Sequence, residues 1–187
     1  MTKSNIIWLA SLAIALFAFS CNDDEMVMTP EEPELITTLT YTLTPEDGGD
    51  AIVLSFNDPD GDGGTAPTVT VENLTTNTNY DGAITLSNES VTPSEDITAE
   101  VQEEDDEHQF FYATTVGELA ITYDDVDGNN NPIGLKTKVT TGPAGTGTLT
   151  LTLRHQPNKS GDNVASGDIT NAGGDTDIEV TFDIVIE

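Results

Sequence analysis

Positive charge, thiol and indole are nearly missing from this chain. Its 187 residues include five Lys and Arg together, one Cys and one Trp, against 34 Asp and Glu, for a formal net charge of −29. With so few cations it lacks the means to neutralise phosphates, which excludes nucleic acid as a partner and makes anionic lipid headgroups repulsive. A field this negative attracts cations or basic protein surfaces instead, and it also serves solubility. A lone Cys21 cannot form an intrachain disulfide or a multi-thiolate metal site. The single tryptophan, Trp8, lies near the start, and the few remaining aromatics offer little to a sugar-stacking surface. No HExxH, nucleophile elbow or phosphate-cradling glycine loop occurs, so the reading is non-catalytic. With this many carboxylates a glycosidase-like pair carries no weight, since chance supplies one.

What is present begins with an export signal. Lys3 precedes an apolar stretch from Ile6 to Phe19, then Ser20 and Cys21. That stretch is shorter than the ~20 residues a spanning helix needs. A positive start, a short apolar region and a small residue before the cut make the secretory pattern. Residues 1–20 are therefore read as a lipoprotein signal peptide whose removal leaves Cys21 as the acylated, palmitate-bearing N-terminus. Two or more acyl chains suffice for stable anchoring. Residues 21–34 form an acidic tether containing Pro30 and Pro33. Its first residues, Asn22 with Asp23, Asp24 and Glu25, resemble the acidic export signal of lipoproteins displayed on the cell surface; a plain acidic linker on a periplasm-facing lipoprotein is the alternative.

From Leu35 the pattern becomes alternation with a period of two. Leu39, Tyr41 and Leu43 share a face, as do Ile52, Leu54 and Phe56, Val69 and Val71, and Tyr80, Gly82, Ile84 and Leu86. Further strands are expected at His108-Phe110-Tyr112, Leu119-Ile121-Tyr123, Leu135 with Val139, Leu149-Leu151-Leu153, and Ile178 through Ile186. Thr fills many outward positions, which suits a half-buried pleated surface. One segment differs: Thr92-Pro93-Ser94-Glu95 reads as a capping box opening a helix of about three turns that ends near Asp106. Ile97 and Val101 would face the core. The expectation for residues 35–187 is an all-β, antiparallel, immunoglobulin-like sandwich of eight or nine strands with one short helix.

Three constellations carry candidate chemistry. Asp58, Asp60 and Asp62 alternate before Gly63 and Gly64, a spacing that can wrap Ca²⁺, although the twelfth position is Val69 where an EF-hand needs Glu. Asp125, Asp127 and Asn129 echo it, and in a sandwich two end loops can combine into one site. A third acidic stretch, Asp162 through Asp168 to Asp175 and Asp177, is too scattered to rank. His108 and His155 are candidates for Zn²⁺, Cu²⁺ or Ni²⁺ if they converge with carboxylates. Met26 and Met28 in the tether are donors of the type that suits Cu(I). Arg154 is the only arginine; pairing with a carboxylate is expected, and orienting an anion is the alternative.

Residues 34–38 (Glu-Leu-Ile-Thr-Thr), Asp58 to Gly64, Glu107 to Phe111 and Arg154 to Pro157 together resemble a group of small Bacteroidota, Flavobacteria-like, surface lipoproteins. Look-alikes sometimes carry a type 1 periplasmic-binding-fold label, but that fold needs alternating strands and long helices, which this chain lacks. The resemblance implies an outer-membrane lipoprotein, anchored by lipid and exposed at the cell surface, with no activity to carry onto particular residues. The expected function is a non-catalytic binding module for a cation or small ligand, accessory to a TonB-dependent transporter. The alternative is a structural or adhesive surface lipoprotein whose loops calcium stiffens.

Overall fold

Strict alternation of apolar and Thr-rich positions leaves each segment one face to bury, and nine strands do so against one another. In the computed structural model, residues 34–61 and 63–187 are described; residues 1–33 and Asp62 lie outside them, and with these Cys21, Asp23, Asp24 and Glu25. The elements are β1 (Thr38–Pro45), β2 (Ile52–Asn57), β3 (Thr68–Val71), β4 (Asn79–Ser87), α1 (Ile97–Glu103), β5 (His108–Thr114), β6 (Ala120–Tyr123), β7 (Lys136–Thr140), β8 (Gly145–His155) and β9 (Asp175–Ile186). Two 3₁₀ turns, Val164–Ser166 and Ile169–Asn171, interrupt the long connection between β8 and β9.

One sheet has the order β3-β2-β1-β4-β7-β6, the other β5-β8-β9, and all the strand pairs are antiparallel. Taking β1, β4, β7 and β6 as A, B, E and D, and β5, β8 and β9 as C, F and G, the orders become A-B-E-D and C-F-G. This is the constant-type immunoglobulin arrangement. The expected immunoglobulin-like sandwich forms, with β2 and β3 following A in the chain and extending its sheet beyond A.

The core lies between the sheets. Leu39, Tyr41 and Leu43 from β1, Ile84 and Leu86 from β4, Phe110 from β5, Leu149, Leu151 and Leu153 from β8, and Ile178 to Ile186 at alternate positions of β9 are all buried. Each such side chain contributes about 1.5–3 kcal/mol. Within the larger sheet, Tyr41 of β1 lies across β4 and shares a 2.7 Å hydrogen bond with the Thr137 hydroxyl of β7. Gly82 on β4 makes room for it: a Cβ there would lie 2.8 Å from the Tyr41 hydroxyl oxygen.

The sheets are stitched at both sides. Phe110 N donates to Ile133 O at 2.7 Å, and Tyr123 Oη donates to Phe110 O at 2.8 Å. On the far side Leu74 N donates to Val185 O and Glu187 N to Leu74 O, both at 2.9 Å. β3 differs from expectation, because Val69 on this edge strand is exposed while the other β2 neighbour, β1, is central.

The helix also differs at its start. Its N-cap is Asp96, whose carboxylate accepts from Ala99 N at 3.2 Å, and not Thr92. Asn88 and Glu95 exchange backbone hydrogen bonds of 3.1 and 3.0 Å, which holds Glu95 in an extended bridge and passes the cap to the next residue. α1 ends at Glu103, and turns carry the chain through Glu107 into β5. Ile97 and Val101 are buried as expected. The Thr98 hydroxyl clamps the helix to β4 by accepting from Leu86 N at 2.7 Å.

Candidate metal centre

The two histidines meet. His108 is the first residue of β5, His155 the last of β8, and antiparallel register sets them directly opposite each other. Both lie on the inner face, two residues from Phe110 and Leu153, with 0% and 5% exposure. Their rings stack with centroids 4.9 Å apart and planes 5° from parallel.

The third member is Asp177, which sequence patterning left among scattered acids. Alternation along β9 puts Ile178 and Val180 inward and would turn Asp177 outward. A bulge reverses this: Leu153 pairs with Ile178, but the next residue, Arg154, pairs with Thr176, so Asp177 is the extra residue. Its side chain is fully buried beside the histidines. Arg154 holds the bulge by donating to the Thr176 hydroxyl at 2.7 Å and to Gly174 O at 3.4 Å. That replaces the carboxylate partner expected for it. Gly174 has φ +69°, and a Cβ there would collide with the His155 carbonyl oxygen, so only glycine fits this approach.

His108 Nδ1 lies 3.2 Å from the Glu104 carbonyl oxygen at the end of α1. A carbonyl only accepts, so Nδ1 carries the hydrogen and Nε2 keeps its lone pair. Nε2 is 3.7 Å from Asp177 Oδ2. His155 Nδ1 is 3.9 Å from Asp177 Oδ1, and its Nε2 is 3.9 Å from Glu107 Oε2. These separations exceed hydrogen-bond length. Among the described residues His108 Nε2, His155 Nε2 and both Asp177 oxygens are buried without a hydrogen-bond partner. Each such orphan costs about 1–3 kcal/mol, more for a charged group, so the cluster calls for a reason.

Burial pushes the Asp177 carboxyl up to about 6, against the pull of His155 toward the charged form; the Glu34 backbone amide faces it without reaching hydrogen-bond geometry. Burial also lowers His108 below its ordinary value, more than the Glu104 carbonyl bond raises it, and His155 lowers it further. At neutral pH His108 is therefore a neutral imidazole, the form that ligates metals.

Among the described residues, His108, His155 and Asp177 are the one set of three such groups whose ligand atoms all lie within 4.8 Å of one another. A tetrahedral ion with bonds of about 2.0–2.2 Å holds its ligands about 3.3–3.5 Å apart. The 3.7 and 3.9 Å separations here are slightly wider, so closure of a few tenths of an ångström suffices for those contacts. Parallel stacking puts the two imidazole lone pairs in separate planes. Joint ligation therefore requires one ring to turn about χ2. Two imidazoles with one carboxylate suit Zn²⁺, Cu²⁺ or Ni²⁺ and leave a coordination position open, whereas Ca²⁺ prefers six to eight oxygens.

The acidic loops meet other fates. Asp58 lines a cavity of about 410 Å³ together with Glu34, Asp177 and Glu179, walled by Ile36 and Phe56. Asp60 is exposed and accepts from Thr65 N at 3.2 Å; hydrogen bonding with the Thr65 side chain first, and with that amide to a lesser degree, lowers its carboxyl below the ordinary value. Asp125 spends its oxygens on Gly134 N at 2.7 Å and Lys136 N at 2.9 Å. Asp127 accepts from Asn129 N and Asn131 N, each at 2.8 Å, and from the buried Lys159 ammonium at 3.1 Å. Burial works to raise Asp127, but those amides and the ammonium prevail and lower it. The cation at this loop is thus the chain's own Lys159. Asn129 is exposed, contributing its backbone amide to Asp127. The two half-sites are not gathered into one cluster among the described residues.

Glu34 completes the surroundings. Its carboxyl is pushed up to about 7, by burial first and then by a hydrogen bond with Glu100 and the charges of Glu100, Glu104 and Asp177. Carboxylates from the chain's entry, from α1 and from β9 therefore crowd one end of the sandwich. Comparison with models of protein families, with curated proteins and with solved structures finds no match for this chain.

Proposed function

We propose that this chain is a non-catalytic, lipid-anchored module of the outer membrane, displayed at the cell surface, that captures a transition-metal cation of the Zn²⁺ or Cu²⁺ type and serves a TonB-dependent transporter. The observation that carries the reading is the buried, unpartnered convergence of His108, His155 and Asp177. Imidazoles beside a carboxylate hold such an ion, and an ion there would offset the desolvation that the buried cluster bears. The net charge of −29 supports it by concentrating cations near the surface. The lipoprotein-type segment ending at Cys21 supports the anchored location, and the chain enters the sandwich beside the site, since Glu34 and Asp177 line one cavity.

Calorimetric titration of the purified protein with Zn²⁺, Cu²⁺ and Ca²⁺ tests the metal reading. One Zn²⁺ or Cu²⁺ is expected per chain, with affinity falling at least about tenfold in His108→Ala and in His155→Ala. Calcium should not compete. Unchanged zinc and copper affinity in both variants would remove the site.

A further inference from the structure

The buried cluster needs a route from solvent, and the cavity at the head of β9 supplies one. Asp177 lies at its floor, with its carboxylate fully buried just behind the cavity surface, turned to both imidazoles and without a hydrogen-bond partner among the described residues. Glu34, Asp58 and Glu179 stand around it, arriving from the chain's entry, the β2–β3 loop and β9. Ile36, buried, and Phe56, half-buried, give the cavity low-dielectric walls. A cleft lined by one sign of charge between such walls focuses field lines and raises the local concentration of counter-ions. Size fits as well: six waters occupy roughly 180 Å³ at ~30 Å³ each, and the cavity offers about 410 Å³. A hydrated divalent ion has room to enter and exchange waters against Glu34, Asp58 and Glu179, and the buried Asp177 carboxylate lies directly behind the floor it then reaches.

We propose that this cavity is the port through which a hydrated divalent cation reaches Asp177, and that Glu34, Asp58 and Glu179 set its capture rate without ligating it in the bound state. The proposal rests on the metal reading above and assigns the route to that site. It also gives Asp58 a role different from membership of a calcium loop.

Stopped-flow association of Co²⁺ with the purified protein tests it, because the visible spectrum reports the ligand set while the trace reports the rate. In Asp58→Asn/Glu179→Gln the association rate at low salt should fall about threefold to tenfold, within the range of electrostatic steering. The dissociation rate and the spectrum should stay as in the parent, and the gap should shrink at ~0.5 M salt as screening takes over. Asp47→Asn/Asp50→Asn, which removes the same charge beyond the opposite end of β1, is the control and should leave the rate near that of the parent. Glu179→Gln alone, with a smaller fall, keeps the test open if the double variant folds poorly. An association rate equal to the control's overturns the port; so does a changed spectrum with faster dissociation, which would make these residues ligands. Failure of the metal reading looks different: no cobalt spectrum in the parent, or one that survives His108→Ala and His155→Ala.

Discussion

Asp177 is held in the folded chain at a cost that depends on pH. Its carboxyl sits at about 6, above the ordinary 3.8, so the native state binds more protons than the unfolded chain between about pH 4 and pH 6. Stability contributed by protonated Asp177 is present below that window and lost as pH rises through it. At 1.36 kcal/mol per unit the loss is about 2–3 kcal/mol. His108 runs the other way, since a depressed imidazole costs stability as pH falls below about 6.5. Asp177→Asn removes the first effect and keeps the second. The metal-free variant should therefore gain on the parent by about 2–3 kcal/mol on going from pH 4 to pH 7, measured by urea unfolding at both. An equal difference at the two values would refute it. Zn²⁺ should reverse the ranking, because a ligand at a hundredfold its dissociation constant stabilises by about 2.7 kcal/mol and the variant has lost one ligand. The His108 and His155 parities were legible, since each continues the inward run of its strand. Asp177 was not, because its own strand's alternation points it outward.

At the scale of elements, the site depends on three strand ends and one bulge. The long β8–β9 connection reads in the sequence as polar turn residues. It folds over the outer face of the small sheet, where Val164, Ala172 and Ile169 cover Phe111. Gln109 Nε2 pins it by donating to Val164 O at 3.0 Å, and Lys159 pins it to Asp127. Gly174 is where it returns beneath His155. Gly174→Ala combines positive φ with a clash on the backbone, and both should be felt. The expected loss is about 1–3 kcal/mol in thermal or urea unfolding, together with weaker Zn²⁺ binding because the bulge shifts. Gly173→Ala has positive φ but open space around it, so it should lose less and leave binding unchanged. If the two variants behave alike, the close approach at Gly174 is not what shapes the site.

Taken as a whole, the molecule is an acidic sandwich with its candidate ligands crowded at the end where the chain enters. If the export segment is an anchor, Cys21→Ser should move the protein from the membrane fraction to the soluble fraction in cells, read by fractionation and by protease access to intact cells. Retention in the membrane would set the anchor reading aside. Sequence alone determined the sandwich and most of its core, because a period of two writes each strand's buried face into local order, and it determined the strongly negative field, because charge is a sum over residues. It also named both histidines. Only the tertiary structure decided what those residues do. Antiparallel register set His108 against His155 across some forty-five residues of sequence, a bulge turned Asp177 inward, and the fold gave Asp127 to Lys159 while turning Asp58 toward the cavity. Pairing register and bulge position are settled by packing between distant segments, so no local pattern in the chain records them.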